Sequence, residues 1–100
     1  MTACVLLFAA APDRSDAVEE AYHRISRSLL GTPGLLRNTL LEHVGEPGRF
    51  VVFSEWATLD AFQTWEQGPD HRRLTAPLRP YHDGFGIYHV TAEYRCEEPC

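Results

Sequence analysis

The sequence predicts a single α+β domain in which two helices cover one face of a four-stranded antiparallel sheet. A chain of 100 residues, 44% of them apolar, has room for one hydrophobic core and no second. Segments of strand and helix character follow one another in the order β-α-β-β-α-β, and Gly- and Pro-containing turns separate most of them. This order is the split βαβ arrangement of the ferredoxin-like class, here over residues 1–95, with residues 96–100 as a short tail.

The first strand and the first helix are predicted within residues 3–30. The continuous apolar run Ala3 to Ala11 is typical of a strand covered on both faces. From Val18 to Leu30 apolar residues recur every three or four positions, which indicates an amphipathic helix. Asp16 and Glu19 predict a capping pair at the start of this helix, and Gly31 predicts its end.

A hairpin and a second helix follow. Leu35 to Val44 and Arg49 to Trp56 predict two strands joined by the four-residue connection 45–48. Thr58 is a suitable cap for a second helix that runs from Leu59 to about Gln67.

The remaining elements are a short helical segment and a last strand. Pro69 is predicted to occupy the first position of a segment that ends near Leu74 to Leu78. The last strand is predicted to begin between His82 and Gly86. It is predicted to run to about Tyr94, because β-branched and aromatic residues are frequent there.

Two predicted strands carry apolar residues at both odd and even positions, which is unusual for a sheet with one face in water. The first reads Cys4-Val5-Leu6-Leu7-Phe8 and the third reads Phe50-Val51-Val52-Phe53. Two helices cover only one face of such a sheet, so the other face also needs a cover. The sequence therefore predicts a homodimer that forms through this second sheet face.

Charge and composition exclude several classes of protein. Nine basic residues, all Arg, against 14 acidic ones give a net charge of −5, which argues against nucleic-acid and anionic-membrane surfaces. Three cysteines without metal-ligand spacing predict reduced thiols in the cytoplasm. His82 and His89, seven apart on a predicted strand, are expected on opposite faces, so no metal site is predicted.

Four short stretches, taken in order, resemble the antibiotic biosynthesis monooxygenase family. They are Pro33-Gly34, the strand end Phe53-Ser54-Glu55-Trp56, the helix Leu59-Asp60-Ala61-Phe62-Gln63-Thr64-Trp65, and Gly68-Pro69-Asp70-His71-Arg72. The resemblance implies a dimeric α/β barrel built from two ferredoxin-like subunits, with a pocket between each sheet and its helices. Members include cofactor-independent oxygenases that convert anthrones or quinols into quinones, haem-degrading enzymes, isomerases and proteins without known activity.

The resemblance also implies site residues. In a cofactor-independent oxygenase the substrate supplies the electrons, so the protein needs only a dry pocket, a base and a donor to the developing oxyanion, and no cofactor. The candidates for catalysis are Trp56, whose indole N–H is a donor only, His71 as a base, and Arg72 as a partner for a phenolate. Candidates for contact with a small hydrophobic aromatic substrate are Tyr22, Asn38, Phe62, Trp65 and Tyr88.

Each candidate also has a purely structural interpretation, and the reaction stays open. Trp56 and Trp65 suit a core, His71 suits a loop hydrogen bond, and Arg72 suits a solvated helix face. Three functions remain: an oxygenase acting on a polycyclic aromatic metabolite, a cyclase or isomerase that uses His71 for proton transfer, and a binding protein without chemistry.

Departures from the family pattern bear on that choice. The quinone-forming oxygenases carry an Asn and a Tyr where this chain has Val52 and Phe62. The haem-degrading members carry an Asn on the first strand, which this chain lacks, and a His where it has Thr75.

Overall fold

The computed structural model of the protein describes residues 2–97 and confirms the predicted order of elements. The strands are β1 (Ala3–Ala10), β2 (Leu35–Glu42), β3 (Arg49–Trp56) and β4 (His82–His89). The helices are α1 (Ser15–Leu29), α2 (Leu59–Glu66) and α3 (His71–Thr75), followed by a 3₁₀ helix (Ala76–Tyr81). The predicted tail falls partly outside the described residues, at positions 98–100. None of the helices within residues 2–97 is long and apolar enough to cross a membrane.

The sheet is antiparallel throughout, with the strand order β2-β3-β1-β4 of a ferredoxin-like fold. Residues directly opposite each other on neighbouring strands share a face of the sheet. Val5 lies opposite Ser54 and Leu7 opposite Val52, so odd positions of β1 share a face with even positions of β3. Odd positions of β1 and even positions of β3 face the helices. A single strand pattern that is apolar at both parities could not decide this register.

The core lies between the sheet and α1, α2 and the 3₁₀ helix. Val18, Ala21, Ile25 and Leu29 form the apolar stripe that α1 buries against the sheet, at the helical spacing read from the sequence. A second buried cluster joins Ala3, Val5, Trp56 and Phe62 at the other end of the strands. Thr58 caps α2 as predicted, since its side-chain oxygen accepts a hydrogen bond from the Ala61 N–H at 3.1 Å.

The other side of the sheet carries no helix within residues 2–97, and we call it the open face. It is formed by the side chains of Cys4, Leu6, Phe8, Val51, Phe53, Glu55, Thr39, Leu41 and Tyr88. Phe8, Leu41 and Tyr88 are 38%, 49% and 56% exposed, which is high for large apolar side chains.

Two helix starts differ from prediction. Helix α1 begins at Ser15, so Asp16 lies inside its first turn rather than capping it, and Arg14 at the cap makes no side-chain cap hydrogen bond. The turn in which the Arg14 N–H donates to the Ala11 carbonyl at 3.0 Å starts the helix early. Helix α3 begins at His71 rather than at Pro69.

Strand β4 also differs from prediction in length and in parity. It ends at His89, so the β-forming residues up to Tyr94 lie outside the sheet. A register shift between Phe8 and Ala9 puts His82 opposite Ala9, while His89 lies opposite Ala3. Both histidines are therefore on the helix-facing side, at opposite ends of the strand, because a bulge interrupts the alternation on which the prediction relied.

Cys4 is a free thiol, so it forms no disulfide with Cys96. The partner of Cys4 on β4 is Tyr88, and β4 ends seven residues before Cys96. Burial, followed by the charge of Glu55, raises the pKa of the Cys4 thiol.

Candidate functional site

A cavity of about 480 Å³ lies between the helix-facing side of the sheet and the helices. This volume falls in the range of small-molecule sites, and its walls are mostly apolar. The sheet contributes Val5, Leu7, Asn38, Val52, Ser54, Trp56, His82 and Phe85. The helices contribute Tyr22, Ile25, Ser26, Leu29, Phe62, Trp65, Glu66, His71, Thr75, Leu78 and Arg79.

One wall of the cavity is a cluster of aromatic rings at the junction of β3 and α2. The rings of Trp56 and Phe62 meet edge to face with centroids 5.4 Å apart, and Trp56 and Trp65 are 5.6 Å apart. Phe62 and Trp65 lie three residues apart on α2, which puts both on the stripe that faces the strand end. The cluster gives this part of the cavity an apolar lining of flat rings, which suits an aromatic ligand.

His71 closes this wall at the first residue of α3. Its ring stands edge-on to Trp65, with centroids 4.6 Å apart and planes at 89°. Its backbone carbonyl accepts a hydrogen bond from the Thr75 hydroxyl at 2.8 Å, which ties the residue to its own helix. The side chain is half-buried and lines the cavity.

The electrostatics of His71 favour the neutral imidazole. Burial is the main cause that lowers its pKa below the ordinary 6.5; Glu66 opposes this shift, whereas Arg79 and Arg72 add to it. A neutral imidazole at neutral pH has one nitrogen free to accept a proton.

The cationic group of the cavity is Arg79, which lies on the 3₁₀ helix. Its Nη2 donates to the Arg72 carbonyl at 3.0 Å and to the Thr75 hydroxyl at 3.3 Å. These contacts hold the guanidinium next to the His71 helix while it lines the cavity. Arg72 itself is exposed, so its part in this network is its backbone oxygen.

Trp56 is almost fully enclosed, with 1% of its surface exposed, and its indole N–H is already used. The Nε1 atom donates to the Ser54 hydroxyl oxygen at 3.0 Å. Ser54 and Trp56 are two apart on β3 and so share the helix-facing side. The polar group that β3 presents to the cavity is therefore Ser54.

A second polar group lies beside it on β2, where Asn38 is the register partner of Ser54. The Asn38 Nδ2 donates to the Ser26 hydroxyl at 2.9 Å, and the Tyr22 hydroxyl donates to the backbone carbonyl of Asn38 at 3.0 Å. These bonds dock α1 onto β2. The Asn38 Oδ1 is enclosed and has no hydrogen-bond partner within residues 2–97.

The structure brings together six of the eight candidates named from the sequence. Around the cavity it places Trp56, His71, Tyr22, Asn38, Phe62 and Trp65. Tyr88 lies on the open face, because it pairs with Cys4 on the even side of β1. Arg72 is exposed and does not line the cavity, whereas Arg79, which is also exposed, does.

Ser54 and Glu66 line the cavity although the sequence did not mark either as a candidate. Ser54 follows from strand alternation once Trp56 is placed on the helix side. The sequence could not place Arg79 at the cavity, because its 3₁₀ helix contains prolines that hide any periodic pattern. Within the described residues, no three His, Cys, Asp or Glu side chains are grouped so that they could hold a metal ion.

Comparison with known proteins gives a family match and a matching fold. The family model described as antibiotic biosynthesis monooxygenase matches residues 1–76. Protein SchA of Streptomyces halstedii is 29% identical over 83 residues, which cover 78% of this chain and 22% of SchA. The chain thus spans about a fifth of that relative's length.

Solved structures support the architecture. SnoaB, a cofactor-independent oxygenase from Streptomyces nogalater, is 22% identical with a TM-score of 0.78, and the match covers 97% of each chain. A candidate antibiotic biosynthesis monooxygenase from Deinococcus radiodurans is 16% identical with a TM-score of 0.78, over 98% of this chain and all of the other. At these identities the likeness establishes the fold and leaves the reaction to be argued from the site.

Proposed function

Because this chain belongs to the antibiotic biosynthesis monooxygenase family, we propose that it is a cofactor-independent oxygenase that oxidises a polycyclic aromatic metabolite, of the anthrone or quinol type, to a quinone. A role in the synthesis of a secondary metabolite follows from the same premise. The likeness of the fold to SnoaB supports the proposal.

The observation that carries the proposal is a neutral histidine at the edge of an aromatic cavity. His71 is in contact with Trp65, lines the cavity, and has a lowered pKa because it is buried. A base with a pKa near or below the working pH is unprotonated and ready to take a proton. Trp65, the partly exposed ring of the aromatic wall, gives a flat ring system a surface to stack on, and the wall keeps water away from the anion that forms.

The proposed reaction needs no electrons from outside the substrate and dioxygen. His71 takes an acidic proton from the substrate, and the resulting anion passes one electron to O₂. The two radicals combine to form a C–O bond, which gives a peroxide. A second hydrogen is then lost from the same carbon as the O–O bond breaks, so one oxygen atom stays as the new carbonyl and the other leaves as water. The substrate loses two hydrogens and gains one oxygen.

The test is oxygen uptake by the purified protein with anthrone, with and without His71→Ala. General bases contribute about 10²- to 10⁴-fold, so the variant is expected to lose at least about 100-fold in kcat. His43→Ala is the matched control, because His43 is exposed in the hairpin connection and away from the cavity. Uptake no faster than the protein-free blank, or uptake that survives in His71→Ala, would contradict the proposal.

One feature of the cavity favours a second candidate function, a proton-transferring isomerase or cyclase. Val52 lines the cavity where the quinone-forming oxygenases carry an Asn, so one polar group of their pattern is missing, while His71 can still act as a base in a proton transfer without oxygen. Turnover in solvent deuterium separates the two, because an isomerase would introduce deuterium into the product without consuming oxygen.

The second part of the proposal concerns assembly: two copies pack through their open faces. Phe8, Leu41 and Tyr88 would otherwise leave a contiguous apolar surface in water, which monomeric proteins rarely tolerate. The Arg37–Glu55 ion pair at 3.4 Å lies across β2 and β3 on the same face and supplies polar contacts. The cavity is on the opposite side of the sheet, so pairing leaves it free to bind a ligand.

A further inference from the structure

Ser54 has one hydrogen-bonding capacity that the folded chain leaves unused. Its oxygen accepts the Trp56 indole N–H at 3.0 Å, while its own O–H has no acceptor within residues 2–97. A hydroxyl can donate one bond and accept two, so this contact leaves the donor available. Ser54 lines the cavity, half-buried, beside Asn38 on the neighbouring strand.

The contact with Trp56 also makes Ser54 a better donor. An O–H whose oxygen accepts a hydrogen bond is polarised, so bonds in a chain strengthen one another. The Trp56 ring is held by Phe62 and Trp65 and cannot turn away, which fixes the direction from which it donates. Its near-complete enclosure leaves the indole N–H no direct path to a ligand.

We propose that Ser54 is the group that donates a hydrogen bond to the ketone oxygen of an aromatic substrate, with Trp56 as its positioning residue. The proposal rests on the proposed function, which it deepens: the substrate must carry a ketone that becomes an oxyanion when a proton leaves. As His71 removes that proton, negative charge moves to the ketone oxygen, and a donor fixed in advance stabilises it without reorganising.

A series of side-chain contacts connects the two polar groups through the aromatic wall. His71 contacts Trp65, Trp65 contacts Trp56, and the indole nitrogen of Trp56 contacts Ser54. His71 and Ser54 line the same cavity, so a fused-ring ligand that fills it is expected to reach both the base and the donor. The chemistry recognised is therefore a polycyclic aromatic ketone rather than a simple phenol.

The direct test is isotope-edited infrared spectroscopy of anthraquinone bound to the full chain. A hydrogen bond to a carbonyl lowers its stretching frequency, so the band of the bound quinone is expected below that of the free compound in an apolar solvent. The shift is expected to disappear in Ser54→Ala, to persist in Ser54→Thr, which keeps the hydroxyl, and to shrink in Trp56→Phe. Ser28→Ala, an exposed serine on α1, is the matched control and is expected to leave the band in place.

Kinetics with anthrone supply the second readout. Loss of one oxyanion donor is expected to lower kcat by about 100-fold while KM changes little. The effects of Ser54→Ala and Trp56→Phe are expected to be strongly non-additive in the double variant, because Trp56 acts through Ser54.

Three results would overturn the assignment: an unchanged band in folded Ser54→Ala, a shift that depends on Trp56 but not on Ser54, or a quinone that does not bind. The infrared measurement requires no turnover, so it separates the two proposals. A Ser54-dependent shift without oxygen uptake would refute the oxygenase and leave the donor role intact. Oxygen uptake that is unchanged in Ser54→Ala would refute the donor role and leave the oxygenase proposal intact.

Discussion

At the scale of single residues, the chemistry of the cavity depends on what surrounds His71. Burial removes water from the imidazole and disfavours its charged form, while the carboxylate of Glu66 partly opposes this. Arg79 and Arg72 repel a second positive charge from the same neighbourhood. Burial and three charged groups, one from each of three helical elements, therefore decide the protonation state of one side chain.

This balance predicts how Arg72→Gln changes the pH profile of oxygen uptake. Arg72 lowers the pKa of His71, so its removal raises that pKa, and the acid limb of the profile moves to higher pH. Glu66 raises the pKa of His71, so Glu66→Gln moves the limb to lower pH. Both shifts are measured on kcat/KM against pH, at low salt where charge effects are largest.

Arg73→Gln is the control for this pair, because Arg73 is exposed on the same short helix and its contact is with Asp70. It is expected to leave the acid limb unchanged. An acid limb that also stays in place in Arg72→Gln and Glu66→Gln would mean that a group other than His71 titrates.

The same lowered pKa makes the folded state bind a proton less readily at His71 than the unfolded state does. The resulting stability is fully present above pH 6.5 and is lost as the pH falls through the lower folded-state pKa.

The residues of the site differ in how far the sequence could predict them. His71 and Trp56 were found through a family pattern, and Tyr22 and Asn38 by residue type. No pattern could show that the Trp56 N–H is satisfied by Ser54, because that contact depends on the rotamers of both side chains. Tyr88 was misplaced because strand parity in β4 needs the pairing with Cys4 to be known.

At the scale of elements, the turn before β2 shows why Pro33-Gly34 precedes the strand. Gly34 has φ of +84°, and a Cβ built on it would collide with the Cβ of Ala61 on α2. Its carbonyl also accepts the Ala57 N–H at 2.7 Å, where β3 leads into α2. This turn therefore packs directly under the helix that carries Phe62 and Trp65.

Gly34→Ala is expected to destabilise the protein more than Gly31→Ala. Both glycines have left-handed backbones, at φ of +84° and +85°, so each alanine costs about 1–2 kcal/mol in conformation. Only Gly34 also meets a neighbour, and overpacking adds about 1–3 kcal/mol. Urea unfolding of the two variants measures the difference directly. Equal losses would show that α2 does not rest on this turn, whereas partial recovery in Gly34→Ala/Ala61→Gly would confirm the contact.

The limits of sequence prediction at this scale are local. Apolar periodicity placed α1, α2 and β3 to within one or two residues, since burial imposes that pattern. It could not show the bulge between Phe8 and Ala9, which changes the face of His82 through backbone pairing alone. It also extended β4 to Tyr94, because β-forming residues fill a segment that has no strand to pair with.

At the scale of the whole molecule, the two faces of the sheet differ in what covers them. The helix-facing side encloses the cavity, and the open face carries apolar side chains with no cover within residues 2–97. The sequence pointed to this division through the apolar runs of both parities in β1 and β3. What it could not predict was which parity faced which side.

The last prediction concerns the open face and follows from its position opposite the cavity. If two copies pair there, light scattering is expected to give twice the 11.3 kDa mass of one chain. Phe8→Glu is expected to give a monomer, because Phe8 is 38% exposed on an inner strand of the open face and an unpaired buried carboxylate is costly. Val44→Glu is the matched control, since Val44 is fully exposed in the hairpin connection and its replacement is expected to leave the dimer intact. A wild-type monomer at micromolar concentration would refute the pairing. A monomeric Phe8→Glu that still binds anthraquinone would show that each cavity is complete within one chain, because every residue that lines it comes from the helices or from the helix-facing side of the sheet.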